Sequence, residues 1–162
     1  MSCPNFVCKV HLTSIFDDVY LNRKGKYMSK TNIDHDELKQ RLGEEVYNVT
    51  QRGGTEAPFS GEYVDNPETG MYNCVVCGQQ LFSTQAQFVT NQPGLKGWPS
   101  FEDAIPGSVE FKEDNSLGMH RTEVICSQCG AHLGHIFDDD SETKTGKHYC
   151  INSCSLNFEK NQ

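Results

Sequence analysis

The sequence has little basic charge and no long apolar run. It contains 14 Lys and Arg residues against 22 Asp and Glu residues among 162, a formal net charge of −8. Binding to nucleic acid or to an anionic membrane surface needs a broadly basic face, so this balance argues against both partners. No stretch of 18 apolar residues is present, and we therefore expect no membrane span.

Hydrophobic residues make up only 36% of the chain, which predicts a modest core and a need for a metal or disulfide staple. The first 30 residues carry five Lys and Arg against two Asp, a net of +3 in an otherwise acidic chain. We therefore predict a mobile N-terminal extension over residues 1–30, followed by one domain over residues 31–162. Cytoplasm is the expected compartment, and the basic extension leaves a mitochondrial location open.

The first predicted helix begins at Asp34, which together with Glu37 resembles a capping box, and Leu38 and Leu42 follow at helical spacing. A second short helix is predicted over residues 44–49. Later segments alternate in the manner of strands and are separated by clusters of Gly, Pro and Asp, which predicts a mainly antiparallel β domain. These predicted strands cover residues 109–112, 122–125, 133–137, 147–151 and 155–158.

Eight cysteines are present, and four of them form two Cys-x-x-Cys-Gly units that predict a metal site. The first unit contains Cys74 and Cys77, and the second contains Cys126 and Cys129. Cys77 and Cys126 are separated by 48 residues. Four thiolates in this arrangement suit a tetrahedral Zn²⁺ ion and leave no open position, so the ion is expected to be structural. The alternatives are a pair of redox-active dithiols or, in a secreted protein, a set of disulfides.

Cys150 is the candidate nucleophile among the remaining thiols. If residues 147–152 form a strand, His148, Cys150 and Asn152 share one face of it. A neighbouring imidazolium would lower the pKa of the thiol and favour a reactive thiolate. The alternative is a half-buried cysteine that acts as a small hydrophobic residue.

Two further patches are unusual for a structural domain. His132 and His135 stand three residues apart, and Trp98, the only tryptophan, lies in a Gly-Trp-Pro-Ser-Phe segment. Each also has an ordinary explanation as structural histidines or a core tryptophan. No further set of metal ligands accompanies the six histidines, so a second, catalytic metal is not expected.

Taken together, these patches resemble the B-type methionine sulfoxide reductases, which act on the R epimer at sulfur. The resemblance runs from about residue 36 to residue 158 and leaves out the first 30 residues. The matching segments, in chain order, are residues 50–61, 97–101, 119–124, 131–139 and 149–153.

The resemblance implies two antiparallel sheets clipped by one structural zinc ion, with short N-terminal helices. It also implies that Cys150 attacks the sulfoxide sulfur and becomes a sulfenic acid, while His132 and His135 bind or protonate the oxygen. The implied partners are oxidised proteins or peptides and thioredoxin as reductant, and the chain is expected to be a monomer. The substrate contacts implied by the resemblance are Trp98, Phe137, His148 and Asn152.

Two positions depart from the family pattern. His148 stands where the family usually has Arg, so electrostatic help to the nucleophile would depend on pH. Lys96 stands where many members have a resolving cysteine, which leaves Cys3, Cys8 and Cys154 as substitutes, or direct attack by thioredoxin. Four residues of strand span about 13 Å, beyond the roughly 7 Å limit for a disulfide, so the sequence favours Cys8 or Cys3 over Cys154.

A second function stays open on the sequence alone. A non-catalytic, zinc-stapled β module could bind a small ligand or peptide in the same groove. Such a module would tolerate replacement of Cys150 by serine, whereas the enzyme would lose turnover.

Overall fold

A computed structural model of the chain describes residues 19–21, 27–29, 33–138 and 141–161. These residues form two helices, α1 (His35–Leu42) and α2 (Glu44–Arg52), and eleven strands. The strands are β1 (Val19–Leu21), β2 (Tyr27–Ser29), β3 (Gly70–Cys74), β4 (Gln80–Ser83), β5 (Gln87–Phe88), β6 (Ser100–Phe101), β7 (Val109–Asp114), β8 (Arg121–Cys126), β9 (His132–Asp138), β10 (Lys147–Ile151) and β11 (Leu156–Lys160).

Both predicted helices are present, and a capping side chain marks the start of the first one. The Asp34 carboxylate accepts hydrogen bonds from two backbone N–H groups of the first turn of α1, both at 3.1 Å, which confirms the predicted start. The second helix extends beyond the predicted range 44–49, to Arg52, and ends at Gly53 in the left-handed conformation. Neither helix of the described residues is long and apolar enough to cross a membrane.

Two antiparallel sheets form the framework of the described chain, as predicted. The larger has six strands in the order β5-β6-β10-β9-β8-β7, and the smaller has three in the order β11-β3-β4. Strands β1 and β2 form a separate antiparallel pair within the segment assigned to an N-terminal extension. The rest of that segment lies outside the described residues, so its mobility stays a prediction.

An aromatic cluster fills the space between the two sheets. Tyr72 and Phe82 of the smaller sheet pack against Phe101 and Tyr149 of the larger one. The rings of Phe82 and Phe101 stack with centroids 4.4 Å apart, and both side chains are fully buried. Burial of each such side chain contributes about 1.5–3 kcal/mol, so this contact adds to the apolar core that joins the sheets.

The predicted strand over residues 147–151 lies in the middle of the larger sheet. As β10 it pairs with β9 on one side and β6 on the other. The chain then makes a 3₁₀ turn at Ser153–Ser155, so the last predicted strand begins one residue later than expected, at Leu156. Cys150 is therefore fixed by ladder bonds on both sides, and the following turn carries the chain over to the smaller sheet.

Candidate active site and metal cluster

The four cysteines of the two Cys-x-x-Cys units converge on one point. All four sulfur atoms lie within 4.8 Å of one another, with Cys74 Sγ 3.7 Å from Cys129 Sγ and Cys77 Sγ 3.6 Å from Cys126 Sγ. A tetrahedron with metal–sulfur bonds of about 2.3 Å has sulfur–sulfur edges of about 3.8 Å, so the spacing suits a four-thiolate metal ion.

The chemistry of the donor set also favours a cation. Hydrogen bonds shared with Cys126 raise the pKa of the Cys74 and Cys129 thiols, and a bound cation would offset this effect by stabilising the thiolates. Cys74 ends β3 and Cys126 ends β8, so the cluster joins the smaller sheet to the larger one. All six described cysteines carry free thiols, and the described part of the chain therefore holds no disulfide.

A separate cavity of about 120 Å³ lies beside Cys150. Its volume corresponds to roughly four water molecules, which is room for a small polar group with short apolar arms. Its lining combines one thiol, one imidazole, one guanidinium, one amide and two aromatic rings. The lining residues are Thr55, Gly94, Leu95, Trp98, Arg121, Gly134, His135, Phe137, Cys150 and Asn152.

The Cys150 thiol is partly buried, in surroundings that disfavour its ionisation. Its Sγ lies 3.8 Å from the carbonyl oxygen of Leu95. Burial, and secondarily the negative charge of Glu56, raise the pKa of the thiol to about 12. The sequence predicted the opposite direction, from a neighbouring imidazolium, so the resting thiol needs a proton acceptor before it can act as a nucleophile.

His135 lies directly opposite Cys150 across the β9–β10 pair. Its Nε2 is 2.8 Å from Asp114 Oδ2, which also accepts a hydrogen bond from Arg121 Nη2 at 2.6 Å. Hydrogen bonds from Ser116 keep the pKa of Asp114 well below its usual range, so Asp114 is a carboxylate and His135 Nε2 must donate. Burial lowers the pKa of His135, and the neutral ring therefore offers Nδ1 as a proton acceptor.

His132 lies next to His135 but is not part of the cavity lining. The two rings meet edge to face with centroids 5.5 Å apart. His132 Nδ1 is 2.6 Å from Glu123 Oε1, while its buried Nε2 has no hydrogen-bond partner among the described residues. Direct contact of His132 with the sulfoxide oxygen, as predicted, therefore stays a prediction, because only His135 of the two histidines lines the cavity.

His148 is placed differently from the other predicted substrate contacts. Its side chain is fully buried, and its Nε2 lies 2.8 Å from Ser100 Oγ. The ring packs against Phe88 and Phe137, with centroid distances of 4.9 and 6.4 Å. Trp98, Phe137 and Asn152 line the cavity, whereas His148 lies behind Phe137 and is not among the lining residues.

Sequence reasoning missed two charged residues of the site. Arg121 was noted only within a matching segment, and Asp114 was not singled out, although together they hold His135. Arg121 and Glu123 alternate on β8, so both belong to the face that meets the histidines of β9. That alternation was a usable signal for Arg121, but Asp114 is joined to His135 only by the pairing of three strands.

A cavity thiol and a separate four-cysteine cluster on a β fold are the features of a class of thiol-dependent oxidoreductases that carry a structural metal site apart from the reactive cysteine. The SelR domain family matches residues 42–160. The chain therefore belongs to this family, the B-type methionine sulfoxide reductases.

Named relatives agree with the family match. The chain is 49% identical over 136 residues to the mouse protein "Methionine-R-sulfoxide reductase B3, mitochondrial". The aligned region covers 83% of this chain and 52% of that protein. It is 51% identical over 127 residues to the Burkholderia mallei "Peptide methionine sulfoxide reductase MsrB", covering 78% of this chain and 86% of that one. A Methanosarcina barkeri protein of the same name is 50% identical over 125 residues, covering 76% and 84%. This chain thus spans about half the length of the mouse relative and most of the other two.

Proposed function

We propose that the protein reduces methionine-R-sulfoxide, free or within oxidised proteins, to methionine, and so repairs oxidative damage. One observation carries the proposal: the Cys150 thiol, the His135 imidazole and the Trp98 indole line the same small cavity. A nucleophile, a proton-transfer group and an apolar wall are what the reduction of a methyl sulfoxide requires.

The reaction begins with proton transfer from the Cys150 thiol to Nδ1 of His135, whose Nε2–H stays bonded to Asp114. The thiolate attacks the sulfoxide sulfur, and the imidazolium returns the proton to the sulfoxide oxygen. The sulfur–oxygen bond of the substrate then breaks as the oxygen passes to Cys150, which leaves methionine and a cysteine sulfenic acid. The cysteine sulfur has given two electrons to the substrate sulfur, so the sulfenic acid must be reduced before another turnover.

Selection of the R epimer follows from the mixed lining of the cavity. A sulfoxide joins one polar oxygen to two apolar arms, and Trp98 with Phe137 supplies an aromatic wall for the methyl group. Exchange of the epimers would turn the oxygen towards the indole and leave the polar groups near His135 unpaired. Each unpaired polar group costs about 1–3 kcal/mol, enough to reject the S epimer.

The metal of the four-cysteine cluster is zinc, in this proposal. Zinc prefers four thiolates in a closed tetrahedron, and its binding supplies folding energy rather than a reactive position. Cys74, Cys77, Cys126 and Cys129 would hold it, and none of the four lines the cavity beside Cys150.

Thioredoxin or a similar dithiol regenerates the enzyme. Two thiols reduce the sulfenic acid to the thiol, form one disulfide and release one water molecule. Cys8 or Cys3 is the proposed first attacking thiol in place of the missing cysteine at Lys96, and both lie outside the described residues. We further propose a monomer in the cytoplasm, with a mitochondrial location as the alternative.

The test is a coupled assay with the separated R and S epimers, with dithiothreitol in one series and thioredoxin in the other. We expect turnover of the R epimer only, and its loss in Cys150→Ser, because an alcohol is a far weaker nucleophile towards sulfur. Cys154→Ser serves as the matched control and should keep its turnover with dithiothreitol. A protein that binds the sulfoxide but turns over neither epimer would be the non-catalytic binding module instead.

A further inference from the structure

The backbone of Glu56 forms hydrogen bonds with two residues that line the cavity, Trp98 and Asn152. Its carbonyl oxygen accepts a hydrogen bond from the Trp98 indole N–H at 3.1 Å, and its N–H donates to Asn152 Oδ1 at 3.0 Å. The amide of Asn152 is fixed at its other end as well, since Nδ2 donates to the carbonyl of Leu133 at 3.0 Å. One residue therefore sets the orientation of the tryptophan ring and of the asparagine amide.

The side chain of Glu56 holds the turn that follows the nucleophile. Glu56 is only 5% exposed, and its two carboxylate oxygens accept the backbone N–H groups of Ser153 at 2.6 Å and Cys154 at 2.9 Å. A buried carboxylate is costly unless hydrogen-bonded, and these two charge-assisted bonds offset that cost. Glutamine at this position could accept only one of the two bonds and would remove the charge.

The space around this carboxylate is kept open by a glycine on the same loop. A Cβ atom on Gly61 would lie 2.9 Å from Glu56 Oε1 and 2.2 Å from Cβ of Ser153. The loop of residues 56–61 and the turn after β10 therefore fit together closely, which leaves no room for the carboxylate to move away from the turn.

We propose that Glu56 is a positioning residue of the active site, which fixes the Trp98 indole and the Asn152 amide around the cavity. The proposal rests on the proposed function only in taking Cys150 as the nucleophile. Glu56 acts through its neighbours and need not touch the substrate.

The negative charge of Glu56 also acts on the thiol. Together with burial, it raises the pKa of Cys150, so its removal should make the resting thiol more acidic. The other titratable groups that line the cavity are Arg121 of β8 and His135 of β9, and His148 lies two residues earlier on β10. These three groups stay in place in Glu56 variants, so a change in the thiol reports on Glu56.

Glu56→Gln and Glu56→Asp separate the charge from the positioning. Glu45→Gln is the matched control, because the exposed Glu45 carboxylate influences Cys154 but not Cys150. Three measurements apply to each variant: the pH dependence of Cys150 alkylation by iodoacetamide, followed by peptide mass mapping; the fluorescence of the single tryptophan; and kcat and KM for the R-sulfoxide with dithiothreitol. Zinc content and thermal melting confirm that each variant is folded.

For Glu56→Gln we expect alkylation of Cys150 at pH 8 to become more than about threefold faster, because loss of the negative charge raises the thiolate fraction by more than it lowers the nucleophilicity of the thiolate. Loss of the fixed indole should shift the tryptophan emission and raise KM by about tenfold. Glu56→Asp keeps the charge, so its alkylation should stay within about threefold of wild type while the emission and KM change. Glu45→Gln should match the wild type in all three measurements.

A folded Glu56→Gln variant with wild-type alkylation, emission and KM would overturn the proposal. If that variant does not fold, Glu56→Asp decides, because unchanged emission and KM in it would equally overturn the proposal. Failure of the proposed function looks different: the wild type would turn over neither epimer, or Cys150→Ser would keep the turnover, whereas the alkylation and fluorescence results do not depend on turnover.

Discussion

Strands β9 and β10 approach so closely at Gly134 that a single added methyl group should disturb the position of Cys150. Gly134 of β9 lies against β10, and a Cβ atom there would sit 2.1 Å from the carbonyl oxygen of Cys150 and 2.9 Å from Cα of Ile151. Both obstacles are backbone atoms, so no side chain can swing away. The two central strands would have to separate by about 1 Å to restore an ordinary contact.

Gly134→Ala should therefore cost about 1–3 kcal/mol of stability, the usual range for overpacking in a core. In a chain of this size that lowers the melting temperature by about 2–12 °C. A displacement of about 1 Å at the nucleophile should reduce kcat/KM for the R-sulfoxide about 100-fold, well beyond the loss in folded protein at 25 °C.

Thermal melting and the coupled turnover assay measure the two effects separately. Gly107→Ala is the control: Gly107 also resists substitution, because its φ is +77°, but no atom lies within 4 Å of an added Cβ. We expect it to lose some stability and to keep its kcat/KM. A folded Gly134→Ala variant with wild-type kcat/KM would refute the reasoning, because it would show that β9 can move without moving the nucleophile.

Three further predictions concern the metal, the histidine and the thiol. Chelation of the metal under reducing conditions should unfold the domain. Structural zinc contributes about 10–16 kcal/mol to the free energy of folding, which matches or exceeds a typical total stability of about 5–15 kcal/mol. An unchanged circular dichroism spectrum in the chelator would contradict this. Asp114→Asn removes the hydrogen bond that raises the pKa of His135 against the effect of burial, so that pKa should fall further. The acid limb of the kcat–pH profile, where protonation removes the neutral imidazole that accepts the Cys150 proton, should then move to lower pH than in the wild type. An acid limb that stays in place or moves to higher pH would count against this role. Folding raises the pKa of the Cys150 thiol to about 12 from an ordinary value near 9. The protonated thiol therefore stabilises the folded state fully below about pH 9, and this contribution declines as the pH rises towards 12. Cys150→Ser should lack this alkaline loss of stability in denaturant titrations.

Local signals in the sequence were enough to predict most elements. The start of α1 follows from Asp34, whose side chain can bond only to the first turn of the helix. The strand over residues 147–151 has the predicted bounds because charge and glycine precede it and a turn follows. The metal cluster was equally readable, since two matched Cys-x-x-Cys-Gly units limit the sulfurs to a few arrangements.

Strand register and burial could not be predicted in the same way. His148 and Cys150 share the alternation of β10, which led to the expectation of a histidine beside the thiol. The larger sheet instead places Phe88 and Phe137 around His148 and buries it completely. Alternation predicts which side chains share a face, but it does not predict which part of that face a neighbouring loop or strand covers.

Regeneration of Cys150 is where sequence and structure lead to competing expectations. Four residues of strand would place Cys154 too far from Cys150 for a disulfide, but the structure has a 3₁₀ turn at Ser153–Ser155 in place of continued strand. The backbone of Cys154 is nevertheless bonded to the buried carboxylate of Glu56, and burial raises the pKa of its thiol to about 12. A protonated thiol on a fixed turn is a poor attacking group, so the expectation stays with the N-terminal thiols.

Treatment with one equivalent of methionine-R-sulfoxide, followed by peptide mapping, decides between these thiols. We expect a disulfide that joins Cys150 to Cys8 or Cys3, and its loss in the variant that replaces both by serine. The Cys154→Ser variant should form the same disulfide at the wild-type rate. A Cys150–Cys154 disulfide would refute the argument from the fixed turn, and no disulfide at all would mean that thioredoxin attacks the sulfenic acid directly.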